Sequence, residues 1–146
     1  MVAGFVEGLV TCRSIMYAAV LLCTLGSAAS ASDWTVLDVD AERNRYSVDQ
    51  ASVRREGQRV TARVRTEYAR PREDGAIAGA VYAVVDTLVF DCGTASFALA
   101  SRSLVAADLA ETQTIANARE DLRFRRAAAG SMSERILRHV CGARMP

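Results

Sequence analysis

The stretch Ala80-Val81-Tyr82-Ala83-Val84-Val85-Asp86-Thr87-Leu88-Val89-Phe90-Asp91-Cys92 is the longest run of apolar and β-branched residues beyond the first thirty. Such residues suit a pleated, buried backbone, so the run predicts a central strand. One face carries Tyr82, Val84, Asp86, Leu88, Phe90 and Cys92; the other carries Val81, Ala83, Val85, Thr87 and Val89. Both faces are apolar, with Asp86 the one charged intruder, and both therefore need cover. Near the C-terminus, Ser131-Met132-Ser133-Glu134 has the spacing of a helix capping box. Met132, Ile136, Leu137, Val140 and Cys141 then fall along one side of a helix, which Gly142 stops.

The chain's ends and its cysteines fix how that helix is held. Arg13 precedes an apolar run from Ile15 to Leu25, followed by small residues ending Ala29-Ser30-Ala31. A basic residue, a short apolar core and an A-x-A site form a secretory signal peptide, so residues 1–31 are expected to be removed after Ala31. The run is short against the roughly 20 residues of a membrane span. Lipid attachment at Cys23 is disfavoured, because Leu22 stands where that chemistry wants a small residue. Residues 32–146 then form a single domain with two cysteines, Cys92 and Cys141. An even count in an exported chain reads as one disulfide. The bridge places the helix on the Cys92 face of the central strand, with Met132, Ile136, Leu137 and Val140 meeting Val84, Leu88 and Phe90.

The remaining segments supply the sheet. Trp34–Val39 and Tyr46–Asp49 read as short strands around a polar turn, Asp40–Asn44. Asp49-Gln50-Ala51-Ser52 reads as a turn shaped by side-chain bonds to nearby backbone. Arg59–Tyr68 alternates strictly: Val60, Ala62, Val64 and Tyr68 on one side, Arg59, Thr61, Arg63, Arg65 and Glu67 on the other. That is the pattern of a half-buried antiparallel strand. A connection through Pro71, Gly75 and Gly79 leads to the central strand. Beyond the Asp91–Thr94 turn, Ser96–Ala107 continues as a strand with Phe97, Leu99 and Val105 on one parity. Thr112–Ala118 is a weaker strand, and Leu122 with Phe124 suggests a last short edge. The fold class is α+β: an antiparallel sheet of about six strands with a C-terminal α-helix packed across one face and tethered by a disulfide.

Trp34, Tyr46-x-x-Asp49-x-x-Ser52, Glu67-Tyr68-x-x-Pro71, Tyr82, Asp91-Cys92, Gly130-Ser131 and Cys141 occur in the order and spacing of one known family. The chain resembles the surface-adhesin protein E family over essentially all of residues 32–146. The resemblance implies an antiparallel sheet of about six strands with a C-terminal helix tethered across it by a disulfide. It also implies kinship with bacterial surface proteins that attach to host extracellular-matrix proteins. No short motif of the family marks a ligand, so the resemblance transfers no binding residue.

Chemistry-bearing patterns are few. His139, the one histidine, sits beside Arg138 in the last helical turn, where a cation suits the helix dipole. No metal-ligand spacing, phosphate loop or histidine-paired nucleophile is present, so neither cofactor nor metal is expected, and an enzyme is disfavoured. Asp86 is expected to pair with an arginine. The formal charge of +1 gives no global field toward nucleic acid. Every one of the 18 basic Lys and Arg positions is arginine, a compositional bias that lowers the weight of any single cluster. Even so, Arg59, Arg63 and Arg65 share a strand face and form the candidate binding surface; the alternative is an ordinary solvated sheet face. The expected function is an exported, non-catalytic binding protein of the bacterial envelope, periplasmic or at the cell surface, with a macromolecular partner. The alternative is a periplasmic structural or assembly component without a host ligand. The apolar second face of the central strand suggests a homodimer.

Overall fold

A computed structural model describes residues 32–142. The expected signal peptide and Cys23 lie outside the described residues. The strands are β1 (Trp34–Val39), β2 (Arg45–Glu56), β3 (Arg59–Glu73), β4 (Ala80–Asp91), β5 (Ser96–Val105), β6 (Glu111–Ala116) and β7 (Arg125–Arg126). One helix, α1 (Met132–Cys141), follows a single 3-10 turn at Arg119–Asp121. Every strand pairing is antiparallel. The spatial order is β1-β2-β3-β4-β5-β6, with β7 pairing the free end of β5 beside β6. Strands β1 to β6 thus each pair with their neighbours in sequence, which is what short antiparallel connections allow, while β7 skips β6 to reach β5. The expected central strand is β4, flanked by β3 and β5.

The main core lies between the sheet and α1. Val48, Val60, Ala62, Val64, Leu88, Phe90 and Phe97 pack with Ile136, Leu137 and Val140 around the Cys92–Cys141 disulfide. Phe90 and Phe97 are direct cross-strand partners with ring centroids 6.3 Å apart, a favoured aromatic spacing. Val84 departs from expectation: it packs with Val81, Leu104, Tyr68 and Ile77 in a separate cluster beyond the helix. A helix of ten residues spans only about 15 Å and does not reach that end of β4.

Helix α1 is secured at both ends. Ser131 Oγ accepts from the Glu134 amide at 3.3 Å, and the Glu134 carboxylate accepts from the Gly130 amide at 2.6 Å. The second half of the expected capping box therefore reaches one residue further back, to Gly130 rather than Ser131. That amide, followed by the Arg138 guanidinium, holds the Glu134 carboxyl below the usual range. At the other end, Arg55 Nη2 donates to the Val140 carbonyl at 2.6 Å, satisfying one of the orphan acceptors of a helix terminus. Arg135 pairs with Asp38 of β1.

Irregularities in the ladders correct four expectations. Strand β2 does not end at Asp49: Gln50–Val53 bulge out opposite Ala62, and pairing resumes at Arg54. The Asp49–Ser52 bonds shape this bulge. Ser52 Oγ donates to the Asp49 carbonyl at 2.6 Å and accepts from the Arg63 amide at 2.8 Å, replacing a ladder bond. Strand β3 runs past Tyr68 to Glu73, with Tyr68–Pro71 standing opposite the single Tyr82. In β5, Ala100 has no partner between Leu99 and Ser101. That extra residue flips the parity, so Leu104 joins the Phe97 face and Val105 turns to the opposite one. Finally, the last edge is Arg125–Arg126, not Leu122 and Phe124.

Part of the second face of β4 is covered within the chain. Trp34 of β1 packs against the Ala83, Val85 and Val105 cluster, although β1 and β4 are three strand spacings apart, about 14 Å in a flat sheet. Arg63 of β3 likewise reaches Glu111 of β6. The sheet is therefore curled toward this face, aided by the bulges. Ala83 and Val85 are each less than 5% exposed, whereas Val81, expected on this face, packs instead with Val84 and Leu104, and Thr87 and Val89 are half-buried. The face that motivated a homodimer is thus covered at its Ala83–Val85 end by the chain's own Trp34.

Candidate binding surface

Alternation along β3 brings Arg59, Arg63 and Arg65 to the concave face, as the sequence indicated, but the structure groups only two of them. Arg63 and Arg65 lie over the Trp34 ring, their guanidinium carbons 5.5 and 5.8 Å from its centroid. Arg63 Nη2 donates to both Glu111 oxygens at 3.0 and 3.1 Å, and Nη1 stands 3.8 Å from Asp49 Oδ2. Arg65 Nη2 pairs with Glu67 at 3.0 Å. Arg59 lies toward the far end of the strand, opposite Asp91, with its guanidinium 5.1 Å from the Phe124 centroid. Among the described residues no carboxylate pairs with it. The stripe is thus not a uniform run of bare cations. Glu111, Asp49 and Glu67 compensate two of its three charges, and the cation–π contacts fasten β3 to β1.

The other singled-out residues have structural partners. Asp86 takes a bidentate bond from Arg102, 2.7 Å from Nε and 2.8 Å from Nη2, the arginine pairing expected of it. Asp91 Oδ1 accepts from the amides of Gly93 and Thr94 at 3.1 Å and shapes the β4–β5 turn. His139 Nε2 is 2.7 Å from Gln50 Nε2 at the exposed rim of α1. Among the described residues no cluster of three or more His, Cys, Asp or Glu side chains is placed for a metal. Nor is any helix there long and apolar enough to cross a membrane.

One feature was not anticipated. The β1–β2 turn and the Tyr68–Pro71 bulge of β3 enclose an open cleft of about 870 Å³, lined by Ala41, Glu42, Arg43, Asn44 and Ala69–Arg72. Its floor is the buried Asn44. Its Nδ2 donates to Asp40 at 2.9 Å and to Glu42 at 3.3 Å, while its Oδ1 accepts from the Ala69 amide at 3.2 Å. Tyr46 Oη also donates to Asp40, at 2.9 Å. Burial, then this bond to the Asp40 carboxylate, pushes the Tyr46 phenol up to about 12. Partial desolvation of Asp40 opposes ionisation, but the bonds from Asn44 and Tyr46 outweigh it and lower its pKa. The turn and the bulge are separated by about 25 residues, and the β2–β3 ladder ending at Arg45 and Glu67 sets them side by side. No local sequence signal marks the cleft.

The family model for surface-adhesin protein E matches residues 34–142, from the first residue of β1 to the cap of α1. The chain belongs to the surface-adhesin protein E family. No curated protein and no solved structure matches it significantly. In this surface-adhesin protein E member, the residues that carried the resemblance are those that set the shape. Trp34 closes the curl. Tyr46 braces the β1–β2 turn. Asp49 and Ser52 hold the β2 bulge. Pro71 stands in the β3 bulge, and Cys92–Cys141 ties α1 to the sheet.

Proposed function

We propose that this surface-adhesin protein E member is an exported, non-catalytic binding protein of the bacterial envelope with a macromolecular partner. On this reading, residues 1–31 are a cleaved signal peptide and residues 32–146 the working domain. The family match carries the proposal, because it takes in every strand and the helix rather than an isolated motif. The family is one of adhesin-like surface proteins. The open, curled sheet offers broad surfaces, and extended surfaces suit macromolecules better than small metabolites. Of the three sheet arginines, Arg59 is the proposed direct contact, since its charge is uncompensated. Arg63 and Arg65 contribute through the shape they impose.

Purified residues 32–146 should bind saturably to an immobilised basement-membrane matrix, and binding should weaken with added salt as exposed charges are screened. Arg59→Glu should weaken it further. Retention by an envelope fraction but not by matrix would make the protein an internal envelope component. Retention by neither would overturn the proposal.

A further inference from the structure

The geometry points to the cleft between the β1–β2 turn and the β3 bulge as a binding site for the sulfate or carboxylate groups of an acidic polysaccharide. Arg43, Arg70 and Arg72 line it against the single carboxylate of Glu42. Among the described residues neither Arg43 nor Arg70 has an ion-pair partner. The Arg72 guanidinium carbon lies over the Tyr68 ring, 4.3 Å from its centroid, and Arg72 pairs with Glu42 at 3.2 Å. That pair is largely solvent-exposed, so an incoming anion displaces it at little cost. Arginine presents a planar fork matched to such oxyanions.

The cleft is also preorganised. Arg43 sits at φ 68°, a left-handed conformation uncommon for a branched or long side chain. The turn bonds, Arg43 N to the Asp40 carbonyl at 2.9 Å and Asp40 N to the Asn44 carbonyl at 3.0 Å, hold it there. Asn44 joins that turn to the bulge through the Ala69 amide. The two walls carrying the arginines are therefore fixed relative to each other before any ligand arrives. A polysaccharide is favoured over an acidic peptide because the nonpolar lining is limited to small residues, Ala41, Ala69 and Pro71. These give no deep apolar pocket to anchor a peptide side chain, whereas a stiff polyanion meets several guanidinium groups at once.

The inference rests on the binding reading above for its expectation of a macromolecule, but its test is separate. Titration calorimetry of residues 32–146 with a heparin-type sulfated hexasaccharide should show saturable, salt-sensitive binding. The doubly substituted Arg43→Gln, Arg70→Gln protein should lose at least tenfold in affinity with its melting temperature unchanged. Arg119→Gln, which removes an exposed arginine paired elsewhere with Glu56, should bind as wild type. If the double variant does not fold, Arg72→Gln alone supplies the comparison and should weaken binding severalfold. Absence of hexasaccharide binding would overturn the inference, as would equal loss in Arg119→Gln or equal affinity for hexaglutamate. Matrix binding that persists without hexasaccharide binding would remove this site and leave the broader function standing.

Discussion

Arg63 ties more of the molecule together than any other exposed-face side chain described above. Its guanidinium joins β3 to Glu111 on β6, to Asp49 on β2 and to Trp34 on β1. A single exposed ion pair contributes little, but here one planar group serves three partners, and Asp49 is only 3% exposed. Removing Arg63 leaves that buried carboxylate without its nearest cation, though the Asp33 and Ala51 amides still bond to it. Arg63→Ala should therefore cost about 1–2 kcal/mol in urea denaturation. Arg63→Lys should recover only part of this, because one ammonium cannot face both Glu111 and Asp49 as the two terminal nitrogens of the planar guanidinium do. A cycle with Glu111→Ala should show a coupling of about 0.5–1 kcal/mol. A loss below about 0.3 kcal/mol in the alanine variant would mean that the curl is held by Trp34 burial alone.

At the scale of elements, α1 depends on its tether. Ten residues are too few for a stable isolated helix in water, and the disulfide closes a sequence separation of 49 residues. The chain-entropy estimate for such a loop is about 4 kcal/mol, model-dependent. Cys141→Ser should lower the stability of the whole domain by an amount of this order. Hydrogen exchange should show α1 amides losing protection before those of β3 and β4. Uniform loss across sheet and helix would show that α1 does not open separately. The helix was legible because its capping residues, apolar stripe and final glycine are all local. The strand β3 was legible from Arg59 to Tyr68 for the same reason. Its continuation to Glu73 was not, because a bulge breaks alternation without leaving a residue type behind. Ala100 is the clearest case: alanine suits either face, so nothing at that position signals the parity flip that exchanges Val105 for Leu104.

At the scale of the whole molecule, the curl was the hidden feature. It brings Trp34 onto a cluster that includes Val105, and Arg63 onto Glu111, 48 positions away. Period-two patterning says which residues share a face but not how that face bends. An apolar face on β4 therefore read as one awaiting a second copy, whereas Trp34 of the same chain already covers its Ala83–Val85 end. The candidate arginines were legible as a set, their neutralising carboxylates on β2 and β6 were not, and the cleft had no signature at all. The proposed export would set the other boundary of the molecule. Intact-mass measurement of periplasmic or secreted material should give a chain beginning at Ser32; a lipidated species beginning at Cys23 would move the boundary and anchor the protein to a membrane. A start at Ser32 leaves Asp33, whose amide donates to Asp49 at 2.9 Å, almost at the new terminus. The Cys92–Cys141 bond adds a condition of its own. Thiols stay reduced where the chain is synthesised and oxidise only beyond the cytoplasm. A molecule retained inside the cell would thus carry an unlatched C-terminal helix and expose the Phe90 and Val60 surface to proteases.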